Sequence, residues 1–548
     1  MCGWALSTVW ASPGWLHYMR QQWFNTTFTR GLAGQPLYQL NSFDLTILIA
    51  YFGVLTILAF YGIHRYILVY HYYKYRDQRP SAPARRFAEP PLVTIQLPIY
   101  NERYVIDRLI QAISRMDYPR DRLEVQVLDD STDDTVLVAR AAVEQAAASG
   151  LPIVYLHRTN RHGFKAGALQ AGMKQARGEF IAIFDADFVP PPDFLRRTID
   201  FFTDPGLGMV QTRWGYINRD YSWLTRIEAI LLDGHFVMEH GGRHRAGLFF
   251  NFNGTAGVWR RTAIEDAGGW QHDTLTEDTD LSYRAQLRGW HFLYLPDVEC
   301  PSELPVEMNA FKVQQARWAK GLIQTSKKVL PRLMRRRDVS WNRKLEAWWH
   351  LTANISYPLM IALCVLLLPA MIVRFYQGWF QMLYLDLPLF IASTMSISSF
   401  YMAAQRELYP GAWRKTLFYM PLVMAIGIGL TVTNSRAVIE ALLGIKSSFK
   451  RTPKFRIESK ADKAVDRPAA IRYRRKIGWS PLLELALGTA FAWVTWYAIV
   501  NENYLTLPFL LIFVVGYFIT GFLSIFQGSG RRKGRIKDVK MPILTPGV

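Results

Sequence analysis

Apolar residues gather in long blocks along this chain. Residues 45–70, 351–373, 382–404, 481–500 and 505–526 are each long and apolar enough to cross a bilayer, for which about 20 residues suffice. A sixth block, 416–444, begins apolar and turns amphipathic. Asn434, Arg436 and Glu440 lie in its second half, and Pro421, Gly427 and Gly429 are expected to break its first. Between the first two blocks the pattern changes. Residues 92–98, 124–128, 153–157, 180–184 and 209–214 are short β-rich runs, with helix-like stretches from about Glu102 and over 165–176 between them. Strands alternating with helices predict an α/β unit whose mainly parallel, doubly wound sheet is covered on both faces. The expected organisation is 1–90 for an N-terminal segment, first membrane helix and linker. Residues 91–330 form the inserted α/β domain, and 331–548 the remaining membrane helices with one interfacial element.

Charge refines this picture. The chain has 64 Lys and Arg against 44 Asp and Glu, a net +20. Lys and Arg accumulate on the cytoplasmic side of membrane spans. Here they follow the first block (Lys74, Arg76, Arg79, Arg85, Arg86), fill 444–479 with 12 against 3 acids, and recur as six residues within 531–540. All three regions are cytoplasmic only if an even number of crossings separates them. The blocks 351–373 and 382–404 make two, so 416–444 is expected to be a re-entrant or interfacial element that does not cross. The excess charge then marks the surface of a lipid bilayer, and no nucleic acid is expected as a partner. The first forty residues are aromatic-rich and lack a basic stretch ahead of a short apolar core, so they do not read as a secretory signal and could lie on the membrane surface. Cys2, Cys300 and Cys364 match neither a zinc spacing nor a disulfide framework.

In sheets of the expected kind, ligands bind beyond the carboxyl ends of the strands. The first run ends in Tyr100-Asn101-Glu102, the second in Asp129-Asp130 and the fourth in Asp185-Ala186-Asp187. Carboxylates at one sheet edge repel one another unless a cation or donor groups join them. Asp185 and Asp187, two apart on an extended segment, point the same way, which suits Mg²⁺ or Mn²⁺ shared with substrate phosphates. His162-Gly163-Phe164-Lys165 opens a helix and brings a helix N-terminus and a point charge for phosphate. Thr276-Glu277-Asp278 is either a set of helix-capping acids or the home of a general base that deprotonates an attacking hydroxyl. Gln314, Arg317 and Trp318 share one face of a helix. They offer an amide, a guanidinium for pyrophosphate and an indole for stacking on a sugar ring.

Together these motifs resemble the processive membrane β-glycosyltransferases of glycosyltransferase family 2. These are the cellulose synthases and, more closely, the cellulose-synthase-like mannan and glucan synthases. The resemblance runs from about Val93 to Lys320 and rests on Gln96-Leu97-Pro98-Ile99-Tyr100-Asn101-Glu102, Leu128-Asp129-Asp130-Ser131, Lys165-Ala166-Gly167, Asp185-Ala186-Asp187, Phe252-Asn253-Gly254-Thr255, Thr276-Glu277-Asp278 and Gln314…Arg317-Trp318. It implies a multi-pass membrane protein, in the plasma membrane if bacterial, with a GT-A-like cytoplasmic domain between transmembrane helices. It also implies roles. Tyr100, Glu102 and Asp130 would contact base and ribose, Lys165 a phosphate, and Asp185 and Asp187 the Mg²⁺ or Mn²⁺. Asp278 would be the catalytic base. Gln314 and Arg317 would sit at the pyrophosphate and Trp318 at the floor of the acceptor site, with Glu277, Asn253 and Gly254 on the same side. Phe449-Lys450-Arg451-Thr452-Pro453-Lys454 resembles the family's F-x-V-T-x-K gating loop, which makes Phe449, Thr452 and Lys454 candidates; Arg451 stands where the family has Val. With 22 residues after Phe526, no cyclic-di-GMP domain is expected. The implied activity is inverting transfer of a hexose from a nucleotide sugar, UDP-glucose or GDP-mannose, to a growing β-linked polysaccharide that is exported across the membrane. Two other readings stand beside it. One is a lipid glycosyltransferase making a single glycolipid. The other is a non-enzymatic transporter or scaffold, which would need no base, metal or acceptor Trp.

Overall fold

A computed structural model describes residues 41–529 apart from 80–81, 376–386, 448, 450, 463–477, 501 and 503. The expectations for residues 1–40, for the start of the 382–404 block, and for the basic stretches 463–477 and 531–540 fall outside the described residues.

Seven strands make one sheet: β1 (Val93–Ile99), β2 (Leu123–Asp129), β3 (Ile153–His157), β4 (Phe180–Ile183), β5 (Leu207–Tyr216), β6 (Gly257–Arg260) and β7 (His291–Ser302), in the order β3-β2-β1-β4-β6-β5-β7. Side chains alternate across it. Phe180 and Ala182 pack into one core layer with Val93, Ile95 and Leu97. Ile181 and Ile183 pack into the other with Leu169 and Trp259. Both faces are therefore covered, as strands with no solvent face require. The first five strands fall on the five β-rich runs, while β6 and β7 do not correspond to any. Four residues of β6 give no periodicity, and β7 is interrupted by Pro296, Asp297 and Glu299, residue types that usually argue against a strand interior. The sheet is also mixed. β6 runs antiparallel to β4 and β5, whereas the other pairings are parallel. The reason is where β6 starts: Gly257 pairs with Ile183, the last residue of β4, so the chain can only run back along that strand.

The chain winds outward from β1 to β3, then returns to lay β4 on the other side of β1. That reversal is a topological switch point, where the loops after two neighbouring strands diverge and leave a crevice. Tyr100–Glu102 follow β1 there and Asp185–Asp187 follow β4.

Among the described residues four helices are long and apolar enough to cross a membrane: Ser42–Lys74, Trp341–Val373, Ser480–Val500 and Leu507–Gln527. Of the 382–404 block, the helical stretches Leu387–Phe390, Ile391–Met395 (π) and Ser396–Leu408 are described. The 416–444 block is two helices, Met420–Gly429 and Thr431–Leu442, within a pair bent by 43°. The apolar run is divided as expected: the bend falls at Leu430, directly after Gly429 ends the first helix, while Gly427 lies inside that helix without breaking it. Pro421 lies in its first turn, where a missing N–H goes unneeded. Gly429 also serves packing: a Cβ there would meet the Gly516 carbonyl oxygen at 2.6 Å, so the missing side chain lets the bent element lie against the last helix. Cys300 and Cys364 are buried and unpaired.

Candidate active site

At the carboxyl ends of β1 and β4 lies a cleft. It is lined by Tyr100, Glu102, Asp130, Lys165, Asp185, Asp187, Asn253, Gly254, Glu277, Asp278, Gln314, Arg317 and Trp318, and by Phe449, Arg451, Thr452 and Lys454. All the residues given a candidate role thus face one space.

Its centre is built by three turns. Lys165, in the first turn of the helix Phe164–Met173, donates to Asp185 Oδ1 at 2.5 Å and to the Gly254 carbonyl at 2.9 Å. Gly254 has φ +81°, and a Cβ there would lie 3.0 Å from Asp278 Oδ2 and 3.4 Å from Lys165 Nζ, so both conformation and space require glycine. Asp278 stands at the start of the helix Glu277–Leu287, and its Oδ1 accepts from the Thr279 amide at 2.7 Å. Burial and the adjacent Glu277 push the Asp278 carboxyl up to about 7, the range in which a base is both ionised and strong at neutral pH. Burial also raises Asp185 and Glu277, with Lys165 opposing in each case.

At the β1 end, Arg158 grips both oxygens of Asp130, at 2.7 and 2.6 Å. The Arg161 guanidinium lies 3.3 Å over the Tyr100 ring. Neither arginine was among the expected residues. Both follow directly on β3, so the rule that pointed to strand ends covers them too. Glu102 is pushed up to about 7 by burial, with Arg451 opposing.

Gln314, Arg317 and Trp318 enter from the long helix Met308–Arg335. Burial lowers the Arg317 guanidinium, while Glu277, Asp185, Asp278 and Asp187 favour its charge. The segment from Phe449 to Lys454 closes the remaining side. Phe449 stacks on Phe164 and lies 4.5 Å from the Arg317 guanidinium. Arg451 pairs with Glu102 at 3.2 Å, and Lys454 with Asp187 at 2.9 Å. Glu303, just past β7, anchors the segment by accepting from the Phe455 amide and the Lys454 ammonium. Because β7 was not expected, neither was Glu303.

Asp185 and Asp187 both face the cleft, and each carries a lysine. Among the described residues no three His, Cys, Asp or Glu cluster as a metal site. Mg²⁺ and Mn²⁺ are commonly held by one or two carboxylates, with substrate phosphates and water completing the shell. The donor set is hard oxygen, and the lysine charges mark the pair as cation-seeking. The pair therefore fits an ion that arrives with a diphosphate.

Residues 90–321 match the family model described as Glycosyltransferase like family 2. The chain carries a glycosyltransferase family 2 domain. That domain is GT-A-like, a mixed α/β sheet with apolar helices on either side of it in the chain. Over 290 residues the chain is 43% identical to glucomannan 4-beta-mannosyltransferase 1 of Oryza sativa subsp. japonica, covering 52% of this chain and 56% of that protein. Over 260 residues it is 45% identical to glucomannan 4-beta-mannosyltransferase 2 of Arabidopsis thaliana, covering 46% and 49%. The chain spans about half the length of the curated relatives it matches. Among solved structures it is similar to mannosyltransferase PcManGT from Pyrobaculum calidifontis, determined in complex with GDP-Man and Mn²⁺. That likeness is 23% identical, covers 66% of this chain and 99% of that one, and has a TM-score of 0.45.

Proposed function

We propose that the chain is a processive, inverting hexosyltransferase that builds a β-linked polysaccharide from a nucleotide sugar. The observation that carries this is the convergence of Asp278, the Asp185–Asp187 pair, Lys165 and the Gln314–Arg317–Trp318 face in one cleft, beside helices able to cross a membrane. The names of the relatives, glucomannan 4-beta-mannosyltransferases, favour GDP-mannose over UDP-glucose as the donor.

In this reading the acceptor sugar stacks on Trp318. Its hydroxyl attacks the anomeric carbon while Asp278 takes the proton, and the bond to the diphosphate breaks on the opposite face. Lys165 and Arg317 meet the charge that develops on the leaving diphosphate. Asp185 and Asp187 would hold Mg²⁺ or Mn²⁺, which when bound supplies further charge neutralisation there. An α-linked donor inverted once gives a β-linkage. The cleft faces the cytoplasm, where the donor is made, and the lengthening chain leaves through the membrane helices.

The test is purified protein in lipid vesicles with labelled GDP-mannose and, separately, UDP-glucose. A high-mass product cleaved by a β-specific hydrolase supports the proposal. A single organic-soluble glycolipid would favour the lipid glycosyltransferase instead, and absence of transfer from either donor would overturn both.

A further inference from the structure

Beside the cleft lies a half-buried polar cluster that the reaction just described leaves unused. The helix over 223–245 changes to a π turn at His235–His240, a distortion that is rare and frequent at functional sites. His235 Nδ1 lies 2.9 Å from Glu239 Oε2, and its Nε2 lies 3.0 Å from the Asn253 side-chain oxygen. His240 Nε2 lies 2.9 Å from the Asn253 amide nitrogen. Burial works against the Glu239 charge, but His235 and Arg243 outweigh it and hold the carboxyl well below its usual range. Beyond them Arg243 donates to Glu346 at 2.8 Å, and Glu346 meets His64 of the first membrane helix at 2.8 Å.

Asn253 heads the turn 253–256. Gly254 has φ +81° and Ala256, a non-glycine, φ +55°. At Ala256 such backbone is costly and persists only where its surroundings hold it. The same turn offers the Gly254 carbonyl to Lys165 and lies against Asp278. Any movement of it displaces both.

Building on the transferase reading above, we infer that His235, held by Glu239, is a positioning residue for sugar transfer: through Asn253 it fixes the turn that sets Lys165 and Asp278 in place. His235→Leu removes both contacts at similar bulk. His235→Gln keeps an amide able to reach Asn253. His235→Asn keeps only the shorter reach to Glu239, and serves where the Leu variant does not fold. Each is purified beside wild type for initial rates with labelled GDP-mannose, GDP affinity by calorimetry and thermal unfolding. Leu and Asn variants are expected to lose about 10²-fold in kcat, the scale at which small misplacements of reacting groups act. GDP affinity and donor KM should stay near wild type, and Gln should recover most of the rate. Wild-type kcat in the Leu or Asn variant would overturn the inference. So would an equal loss in all three variants accompanied by weaker GDP binding and a lower Tm, the signature of lost packing. Absence of transfer by the wild type overturns the transferase reading itself, and this inference with it.

Discussion

Asp278 and Glu102 both face the cleft with carboxyls lifted to about 7, and burial is the main cause in each. Their neighbours differ: Glu277 raises Asp278 further, whereas Arg451 pulls Glu102 down. A base must be deprotonated to act. Because Asp278 takes up a proton below about 7, kcat/KM should fall roughly tenfold per pH unit beneath that point and level off above it. A flat profile between about pH 6 and 8 would remove Asp278 from this role. Asp187 gives a second prediction at this scale. Asp187→Ala removes a proposed cation ligand and the partner of Lys454, so donor affinity and turnover should both drop. EDTA should mimic it and Mg²⁺ or Mn²⁺ should reverse the chelator's effect; full activity in excess EDTA contradicts the cation. Residue type made these positions legible, since acids and cations at strand ends and helix starts stand out in any sequence. Pairing was not legible. Glu102 and Arg451 meet across 349 positions, and nothing local to either announces the other. His235 and Glu303 were hidden for the same reason, because their partners lie on distant elements.

The helix Met308–Arg335 joins catalytic and membrane parts. Gln314, Arg317 and Trp318 look into the cleft, while Lys312 donates to Glu484 at 2.5 Å and to Ser524 at 2.7 Å in the helices Ser480–Val500 and Leu507–Ser529. Lys320 pairs with Glu440 of the bent element at 2.8 Å. Lys312 and Glu484 are both buried, and stranding one member of a buried pair costs about 3–5 kcal/mol. Lys312→Met should therefore lower the thermal midpoint in detergent, and Lys312→Met with Glu484→Leu should restore much of it. An unchanged midpoint in the single variant would mean that the pair does not bind the two parts together. Element existence was mostly readable from the apolar pattern, because long runs and β-rich stretches carry their own periodicity. It failed at β6, too short for any period, and at β7, whose proline and acids disguise it. In the bent helix pair the break near Gly429 was visible, but not that the same glycine also answers to a neighbouring helix.

For the whole molecule, charge and chemistry make the same demand. The segment that brings Phe449, Arg451 and Lys454 to the cleft leaves the bent element at Leu442 and enters the helix Ser480–Val500. If the donor is cytoplasmic, that segment is too, and with 382–404 taken as a crossing the bent element does not cross. Ser447 is exposed. Ser447→Cys in a cysteine-free background should stay unlabelled by an impermeant reagent on intact cells and react once the membrane is opened; labelling from outside would reverse this topology. The central point, that the cleft transfers a sugar with Asp278 as its base, is decided by one comparison: wild type and Asp278→Asn, purified in parallel and given labelled GDP-mannose. The amide keeps the shape of the carboxylate but cannot take the proton, so transfer should fall by about 10²–10⁴-fold while GDP binding stays near wild type. Transfer by Asp278→Asn at more than about a tenth of the wild-type rate would contradict it.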